Sequence, residues 1–139
     1  KYKIKILQSD CELVAEKNDI SFKWNSKFPI NSLYLMRGYL FVKNEMKIIY
    51  LDLFFNAYWK DNIDLSSETE IHKILNILDI DIKKFMERIN DESIKDQLKK
   101  LTNEAFKKEL FGVPTFVANS RIFWGQDRLE YAVEEFSSI

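Results

Sequence analysis

The sequence of 139 residues is poor in turn-forming and thiol residues, with three glycines, two prolines, one cysteine and one histidine. Few glycines and prolines mean few tight turns, which favours a mostly helical chain. Cys11 has no second cysteine with which to form an internal disulfide or a Cys-x-x-Cys redox pair, and such usage is typical of a reducing, cytoplasmic compartment. With one histidine, His72, the chain also lacks the usual ligands of a zinc site, so we expect no metal.

An excess of charge of one sign is also absent, because 21 Lys and Arg residues balance 22 Asp and Glu residues, a formal net charge of −1. We therefore expect neither nonspecific nucleic-acid binding nor attachment to a membrane surface, both of which rely on a basic patch. No apolar run approaches the roughly 18 residues that cross a bilayer. Hydrophobic residues make up 46% of the chain, enough for a core, and the length fits about one domain. The sequence opens with Lys1 rather than Met, so we expect an upstream segment to be missing.

Most of the chain carries apolar residues at helical spacing. The segment 20–29 is different, because it combines aromatic residues, polar residues and a proline, and it reads as an ordered loop. The stretch 46–60 is apolar on nearly every side, which predicts a helix that is buried or packs on two sides. We predict helices over residues 2–14, 33–41, 46–60, 67–78, 81–89 and 92–110.

Polar side chains mark several helix ends. Asn18-Asp19 is a predicted helix stop, and Asn31 or Ser32 is expected to cap the next helix by accepting a bond from an unpaired backbone N–H. Ser67 and Glu70 have the spacing of a capping box, in which each side chain bonds the backbone of the other residue.

The pattern changes near the C-terminus from helical to strand-like. Gly112–Ala118 and Arg121–Trp124 are short β-type runs separated by the turn-forming pair Asn119-Ser120, which predicts a β-hairpin. Gly125 closes the hairpin, and Asp127 is expected to cap a final helix. An isolated two-stranded hairpin is only marginally stable, so this one needs further strands to pair with.

Two blocks of sequence resemble a known group, the 2-hydroxychromene-2-carboxylate isomerases and the related kappa-class glutathione transferases. The first block is similar to the start of the helical insertion of that group, and the second to its C-terminal signature. The blocks are Phe28-Pro29-Ile30-Asn31-Ser32-Leu33 with Leu35-Met36-Arg37-Gly38, and Phe111-Gly112-Val113-Pro114-Thr115-Phe116 with Ile122-Phe123-Trp124-Gly125-Gln126-Asp127-Arg128-Leu129.

The resemblance implies an α/β protein of the DsbA-like branch of the thioredoxin fold, in which a helical domain is inserted into a βαβ–ββα core. Residues 1–110 would be mostly the helical insertion, and residues 111–139 the C-terminal ββα part of the core. The first β-α-β unit of the family would precede Lys1. That unit carries a Ser-Pro-Tyr-type segment whose serine contacts the glutathione sulfur, and because nothing here matches it, we assign no catalytic residue.

The resemblance also implies half of a glutathione site. Val113 would offer its backbone N–H and C=O to the cysteinyl residue of glutathione, next to a Pro114 that the family context makes cis, although only about 5–6% of X–Pro bonds are cis in general. Gln126 and Asp127 match the positions that hold the γ-glutamyl end, where a carboxylate suits the α-ammonium. Lys3 falls where the family has a lysine near the glycine carboxylate.

Two of these residues also have a simpler interpretation. Asp127 and Glu130 have the spacing of a capping pair, a role compatible with ligand binding. Asn31 is a candidate for substrate contact, yet an asparagine at that position more often only caps a helix.

The function implied by the resemblance is a glutathione-dependent isomerase or transferase. Glutathione thiolate would add reversibly to a small aromatic-derived or electrophilic substrate, and a homodimer is compatible with the family. Two alternatives stay open from the sequence: a non-catalytic thioredoxin-like module in a larger assembly, and a DsbA-type disulfide oxidoreductase with its Cys-x-x-Cys upstream.

Overall fold

The computed structural model describes residues 2–138 and divides into two compact units between Lys95 and Asp96. Seven α-helices and two β-strands lie in the described residues, with 3-10 turns over Asn44–Met46 and Gln126–Arg128. The elements are α1 Tyr2–Lys17, α2 Leu33–Phe41, α3 Lys47–Trp59, α4 Glu68–Ile77, α5 Ile82–Asn90, α6 Glu92–Lys107, β1 Thr115–Ala118, β2 Arg121–Trp124 and α7 Leu129–Ser137.

The core of the first unit lies among helices α2 to α5. Gly38 on α2 is buried against the hydroxyl of Tyr50 and the ring of Phe85, and a side chain at position 38 would collide with both. Tyr50 donates a hydrogen bond to the Leu35 carbonyl at 2.9 Å, and its burial raises the pKa of its hydroxyl. The most completely buried apolar side chains of this unit are Tyr50, Leu65, Leu75 and Phe85.

Helix α3 buries one side only. Its buried residues are Tyr50, Phe54, Ala57 and Tyr58, whereas Ile48 and Phe55 are 73% and 61% exposed. The expectation that 46–60 is buried or packs on two sides is therefore wrong for the chain by itself. Within the described residues the neighbouring helices cover only the face that carries the two tyrosines.

Three helices end on a residue with a left-handed backbone, although none of these residues is glycine. Asp19, Asp79 and Glu109 have φ angles of 53°, 53° and 60°. In each case the next residue donates its N–H to a carbonyl five positions back, as Ile20 does to Ala15 at 2.9 Å and Leu110 does to Ala105 at 3.1 Å. This arrangement is the Schellman motif, and it satisfies carbonyls that the helix end leaves unpaired. The predicted stop at Asn18-Asp19 is confirmed.

The capping box predicted at Ser67 does not form. Ser67 occupies the N-cap position of α4, but its side chain makes no capping hydrogen bond. Glu70 instead pairs with Lys73 at 2.7 Å, because residues three apart on a helix are neighbours on its surface. The start of α5 is different: Asp81 is the N-cap residue, and its Oδ1 accepts from the Lys84 N–H at 3.0 Å.

The second unit contains the predicted hairpin and the final helix. Strands β1 and β2 are antiparallel, and Ala118 pairs with Arg121 across the turn. Asn119 and Ser120 have φ angles of 49° and 66°, as a type I′ turn requires at both central positions. Glu135 joins α7 to this turn, because its carbonyl accepts from the Asn119 side chain at 2.6 Å and its carboxylate pairs with Arg121 at 2.7 Å. The prediction of a hairpin with this turn is confirmed.

Over residues 2–138, no helix is both long enough and apolar enough to cross a membrane.

Candidate functional site

The Val113–Pro114 peptide bond is cis, and it lies immediately before β1. The Val113 residue is 92% exposed, although its side chain is apolar. The Thr115 hydroxyl donates to the Gly112 carbonyl, a hydrogen bond that joins the backbone on either side of the cis bond. A second cis bond, Phe28–Pro29, lies in the first unit and was not predicted.

A backbone hydrogen bond joins the Val113-Pro114 segment to the end of β2. The Gly125 N–H donates to the Pro114 carbonyl at 2.9 Å, and the Gly125 carbonyl accepts from the Arg128 N–H at 3.1 Å. Gln126 and Asp127 lie between those two bonds. The structure therefore brings four of the predicted site residues to the same end of the hairpin: Val113, Pro114, Gln126 and Asp127.

Gln126 and Asp127 form a 3-10 turn with Arg128, and all three side chains are exposed. Oδ2 of Asp127 pairs with the Arg128 guanidinium at 3.0 Å, so opposite charges lie side by side at the surface. The expectation that Asp127 caps the final helix is wrong. The 3-10 turn moves the start of α7 along the chain, so the N-cap position falls on Arg128, which makes no side-chain capping bond.

Lys3 and Asn31 belong to the first unit. Lys3 is exposed in the first turn of α1. Oδ1 of Asn31 accepts from the Leu33 N–H at 3.1 Å, a local turn just before α2. Ser32, at the N-cap position, makes no side-chain capping bond, so the hydrogen bond at this helix start comes from Asn31.

The loop at 20–29 is anchored by a residue whose importance the sequence did not reveal. Asn25 is only 1% exposed. Its side-chain amide donates to the Tyr58 carbonyl at 2.8 Å and the Ile63 carbonyl at 3.0 Å, and its Oδ1 accepts from the Lys27 N–H at 2.8 Å. The only sequence signal was a small polar residue between Trp24 and the following aromatic residue, a pattern that many solvated loops share.

Asn25 holds the loop against the C-terminal end of α3. The Lys23 N–H also donates to the Trp59 carbonyl, at 2.6 Å. As a result the rings of Trp24 and Phe28 contact the ring of Trp59, with centroids 5.6 Å and 5.8 Å away. The loop is ordered, as predicted, because it supplies donors that the last turn of α3 lacks.

The described residues favour neither a reactive thiolate nor a metal site. Burial raises the pKa of the Cys11 thiol, and the carboxylates of Asp10 and Glu12 raise it further, so the reactive thiolate is disfavoured. Over residues 2–138, no three His, Cys, Asp or Glu side chains lie close enough to hold a metal ion.

A hairpin entered through a cis-proline and followed by a helix, in a chain that is otherwise mostly helical, agrees with the predicted thioredoxin-like fold with an inserted helical domain. The profile of the DSBA-like thioredoxin domain matches residues 1–137. The chain belongs to this family, and the predicted fold class is confirmed.

Curated relatives give a narrower similarity. A 2-hydroxychromene-2-carboxylate isomerase of Sphingobium xenophagum is 21% identical over 129 residues, which cover 93% of this chain and 66% of the relative. The enzyme of the same name from Pseudomonas putida is 25% identical over 130 residues, 93% of this chain and 63% of the relative. That of Pseudomonas sp. (strain C18) is 30% identical over 80 residues, 58% of this chain and 38% of the relative.

A solved structure is also similar. The selenomethionine form of a 2-hydroxychromene-2-carboxylate isomerase superposes on 98% of this chain with a TM-score of 0.86, at 22% identity. The resemblance stated from the two sequence blocks is thus confirmed, and this structure supports the fold. The chain spans 66% or less of the length of each of these relatives.

Proposed function

We propose that the chain takes part in a glutathione-dependent isomerisation of the 2-hydroxychromene-2-carboxylate isomerase type. The observation that carries the proposal is the Gly125–Pro114 hydrogen bond of 2.9 Å, because it holds the Val113-Pro114 and Gln126-Asp127 segments at one end of the hairpin. The names of the relatives support the reaction type. Glutathione as cofactor, a cytoplasmic location and a small aromatic-derived substrate belong to the proposal.

The residues at the hairpin end fit the chemistry of glutathione. Val113 is almost fully exposed, so an extended peptide can lie along its backbone and pair with it as another strand would. The γ-glutamyl end carries an ammonium and a carboxylate on one carbon. Asp127 and Arg128 expose the two complementary charges side by side, so the ammonium would pair with Asp127 and the carboxylate with Arg128.

Bound glutathione would supply a thiolate able to add reversibly to an unsaturated substrate. In this proposal the described residues bind and orient the tripeptide rather than activate its sulfur. The assignments of Lys3 to the glycine carboxylate and of Asn31 to the substrate stay predictions from the resemblance. No catalytic residue is assigned to this chain.

Isothermal titration of the full 139-residue chain with reduced glutathione tests the proposal. We expect binding, and we expect Asp127→Asn to weaken it about tenfold or more, because a hydrogen bond to a charged group contributes roughly 1.5–3 kcal/mol. Asp96→Asn is the matched control, since Asp96 is also an exposed carboxylate of the second unit paired with a basic side chain, Lys99, at 3.0 Å. Absence of glutathione binding by the unmodified chain, or equal affinity for Asp127→Asn, would contradict the proposal.

A further inference from the structure

Two phenylalanines at the C-terminal end of α6 and just beyond it are exposed although their side chains are apolar. Phe106 is 79% exposed and Phe111 is 76% exposed. Together with Leu110, Lys107 and Glu109 they line an open groove with a volume of about 570 Å³. Pockets for small molecules have volumes of roughly 300–1,000 Å³ and are mostly apolar with a few polar groups. The groove therefore has the size and the lining of a site for a small aromatic molecule.

The groove adjoins the segment to which the proposed function assigns the cysteinyl residue of glutathione. Phe111 precedes Val113 by two residues, and its ring packs against that of Trp124 with centroids 4.9 Å apart. The indole nitrogen of Trp124 lies so close to Gly112 that a Cβ atom built there would be 2.8 Å from it. The rings of Phe111 and Trp124 therefore lie beside the backbone that leads directly into Val113.

This location suits the chemistry of thiolate addition. The sulfur of glutathione can add only to a carbon that it contacts, because reacting atoms must approach to roughly 3–3.5 Å. The substrate must therefore lie next to the cysteinyl residue, which in the proposed function lies along Val113. Aromatic side chains next to that position offer an apolar surface against which an unsaturated ring can pack.

The charges beside the groove favour an anionic group on the ligand. Among residues 2–138, Lys107, Lys108 and Glu109 take part in none of the ion pairs. Two positive charges therefore stand against one negative charge at this end of α6. A carboxylate on a ring that packs against Phe106 would pair with the ammonium group of Lys107.

We infer that this groove holds the substrate, as a planar aromatic carboxylate, beside the sulfur of bound glutathione. The inference rests on the proposed function and adds a second site to it. Phe106 and Phe111 would pack against the aromatic ring, and Lys107 would pair with the carboxylate. Phe106 and Lys107 are then specificity-determining residues, the first for planarity and the second for charge.

NMR titration of the full 139-residue chain with 2-naphthoate, a planar aromatic carboxylate, tests the inference. The chain has three tryptophans, and a Trp124→Phe variant identifies the indole N–H resonance of Trp124. We expect 2-naphthoate to shift that resonance saturably and to leave those of Trp24 and Trp59, in the first unit, unchanged. The saturated analogue decahydro-2-naphthoate keeps the charge but is not planar, so it should bind about fivefold more weakly.

Two variants separate the ring contact from the charge contact. Phe106→Ala should weaken 2-naphthoate binding about fivefold. Phe136→Ala is its control, because Phe136 is also an exposed phenylalanine of the second unit but lies outside the groove, and it should leave binding unchanged. Lys107→Gln should weaken 2-naphthoate binding about threefold and leave binding of the uncharged 2-naphthalenemethanol unchanged. Far-UV circular dichroism of each variant checks the fold.

Several results would overturn the inference in a chain that does bind glutathione. These are no saturable shift of the Trp124 resonance, equal shifts of all three indole resonances, equal affinity for the saturated analogue, or unchanged 2-naphthoate affinity in Phe106→Ala or Lys107→Gln. A shift of the Trp124 resonance on raising the protein concentration alone would also overturn it, by identifying the groove as a contact between copies of the chain. Absence of glutathione binding would overturn the proposed function, and with it the assignment of the groove to the substrate.

Discussion

Replacing Asn25 with aspartate should destabilise the first unit severely, even though the two side chains have nearly the same shape. The amide of Asn25 donates to the carbonyls of Tyr58 and Ile63 at 2.8 Å and 3.0 Å in a site that is 1% exposed. A carboxylate in its place would present oxygen to both carbonyl oxygens and donate to neither. The change therefore converts two attractive contacts into two repulsive ones without altering the packing.

The magnitude follows from the number of groups left unpaired. A buried acceptor without a partner costs about 1–3 kcal/mol, so losing both donated bonds in Asn25→Ala should cost about 3 kcal/mol. Asn25→Asp should cost more at pH 7, because it adds a buried charge without a counter-ion. Total stability of a domain this size is roughly 5–15 kcal/mol, so the aspartate variant is expected to lose a large fraction of it.

The aspartate variant should also acquire a characteristic pH dependence. Burial raises the pKa of a carboxyl, so the new group binds its proton more tightly in the folded state than in the unfolded state. The loss in free energy of unfolding relative to the parent chain is therefore smallest below the pKa that the aspartate has in the unfolded state. The loss grows as pH rises through the higher pKa of the folded state. Asn25→Ala should show no such change between pH 4 and 7.

Urea unfolding followed by circular dichroism measures these differences. Asn44→Asp is the control, because Asn44 is exposed ahead of α3, where a negative charge is tolerated. It should lie within about 0.5 kcal/mol of the parent chain. If Asn25→Asp at pH 7 lost less than about 1 kcal/mol, the argument that Asn25 supplies donors to the end of α3 would be refuted.

Two further predictions concern helix packing and capping. Gly38→Ala should lower the free energy of unfolding of the first unit by about 1–3 kcal/mol, because the added methyl group collides with Tyr50 and Phe85. A urea midpoint equal to that of the parent chain would contradict this packing. The Lys84 N–H holds the pKa of Asp81 below its usual range, so the stabilisation by that carboxylate is present above the unfolded pKa and is lost as pH falls through the folded pKa. Asp81→Asn keeps the capping acceptor, so it should reduce the dependence of the melting temperature on pH between about 2 and 5; an unchanged profile would argue against the charged cap.

Local sequence signals predicted the elements whose stability is local. The helix stop at Asn18-Asp19 and the turn at Asn119-Ser120 were predictable because each depends on a few adjacent residues. Helix α6 was predicted to reach 110, yet it ends at Lys107, because a glutamate at 109 adopts the left-handed conformation normally expected of glycine. The Leu110 N–H bond to Ala105 favours this ending, and no propensity of glutamate indicates it.

The resemblance nominated the residues of the candidate site, whereas the hydrogen bonds that join them could not be predicted from the sequence. The sequence blocks indicated Val113, Gln126 and Asp127, but not the carbonyl of Pro114 as the acceptor that joins them through Gly125. The Asp127 cap failed because the 3-10 turn that precedes α7 depends on the backbone angles of Gly125. Asn25 was missed for a similar reason, since its partners lie 33 and 38 residues away in the chain and only the fold brings them together.

The distribution of tryptophans has a practical consequence for spectroscopy. Trp24 and Trp59 lie within one aromatic cluster of the first unit, whereas Trp124 packs against Phe111 in the second, with tilted rings whose centroids are 4.9 Å apart. A Trp124→Phe variant leaves indole emission only from the first unit, and the paired replacement of Trp24 and Trp59 leaves it only from the hairpin. Intrinsic fluorescence can therefore record the unfolding of each unit separately, without any attached dye.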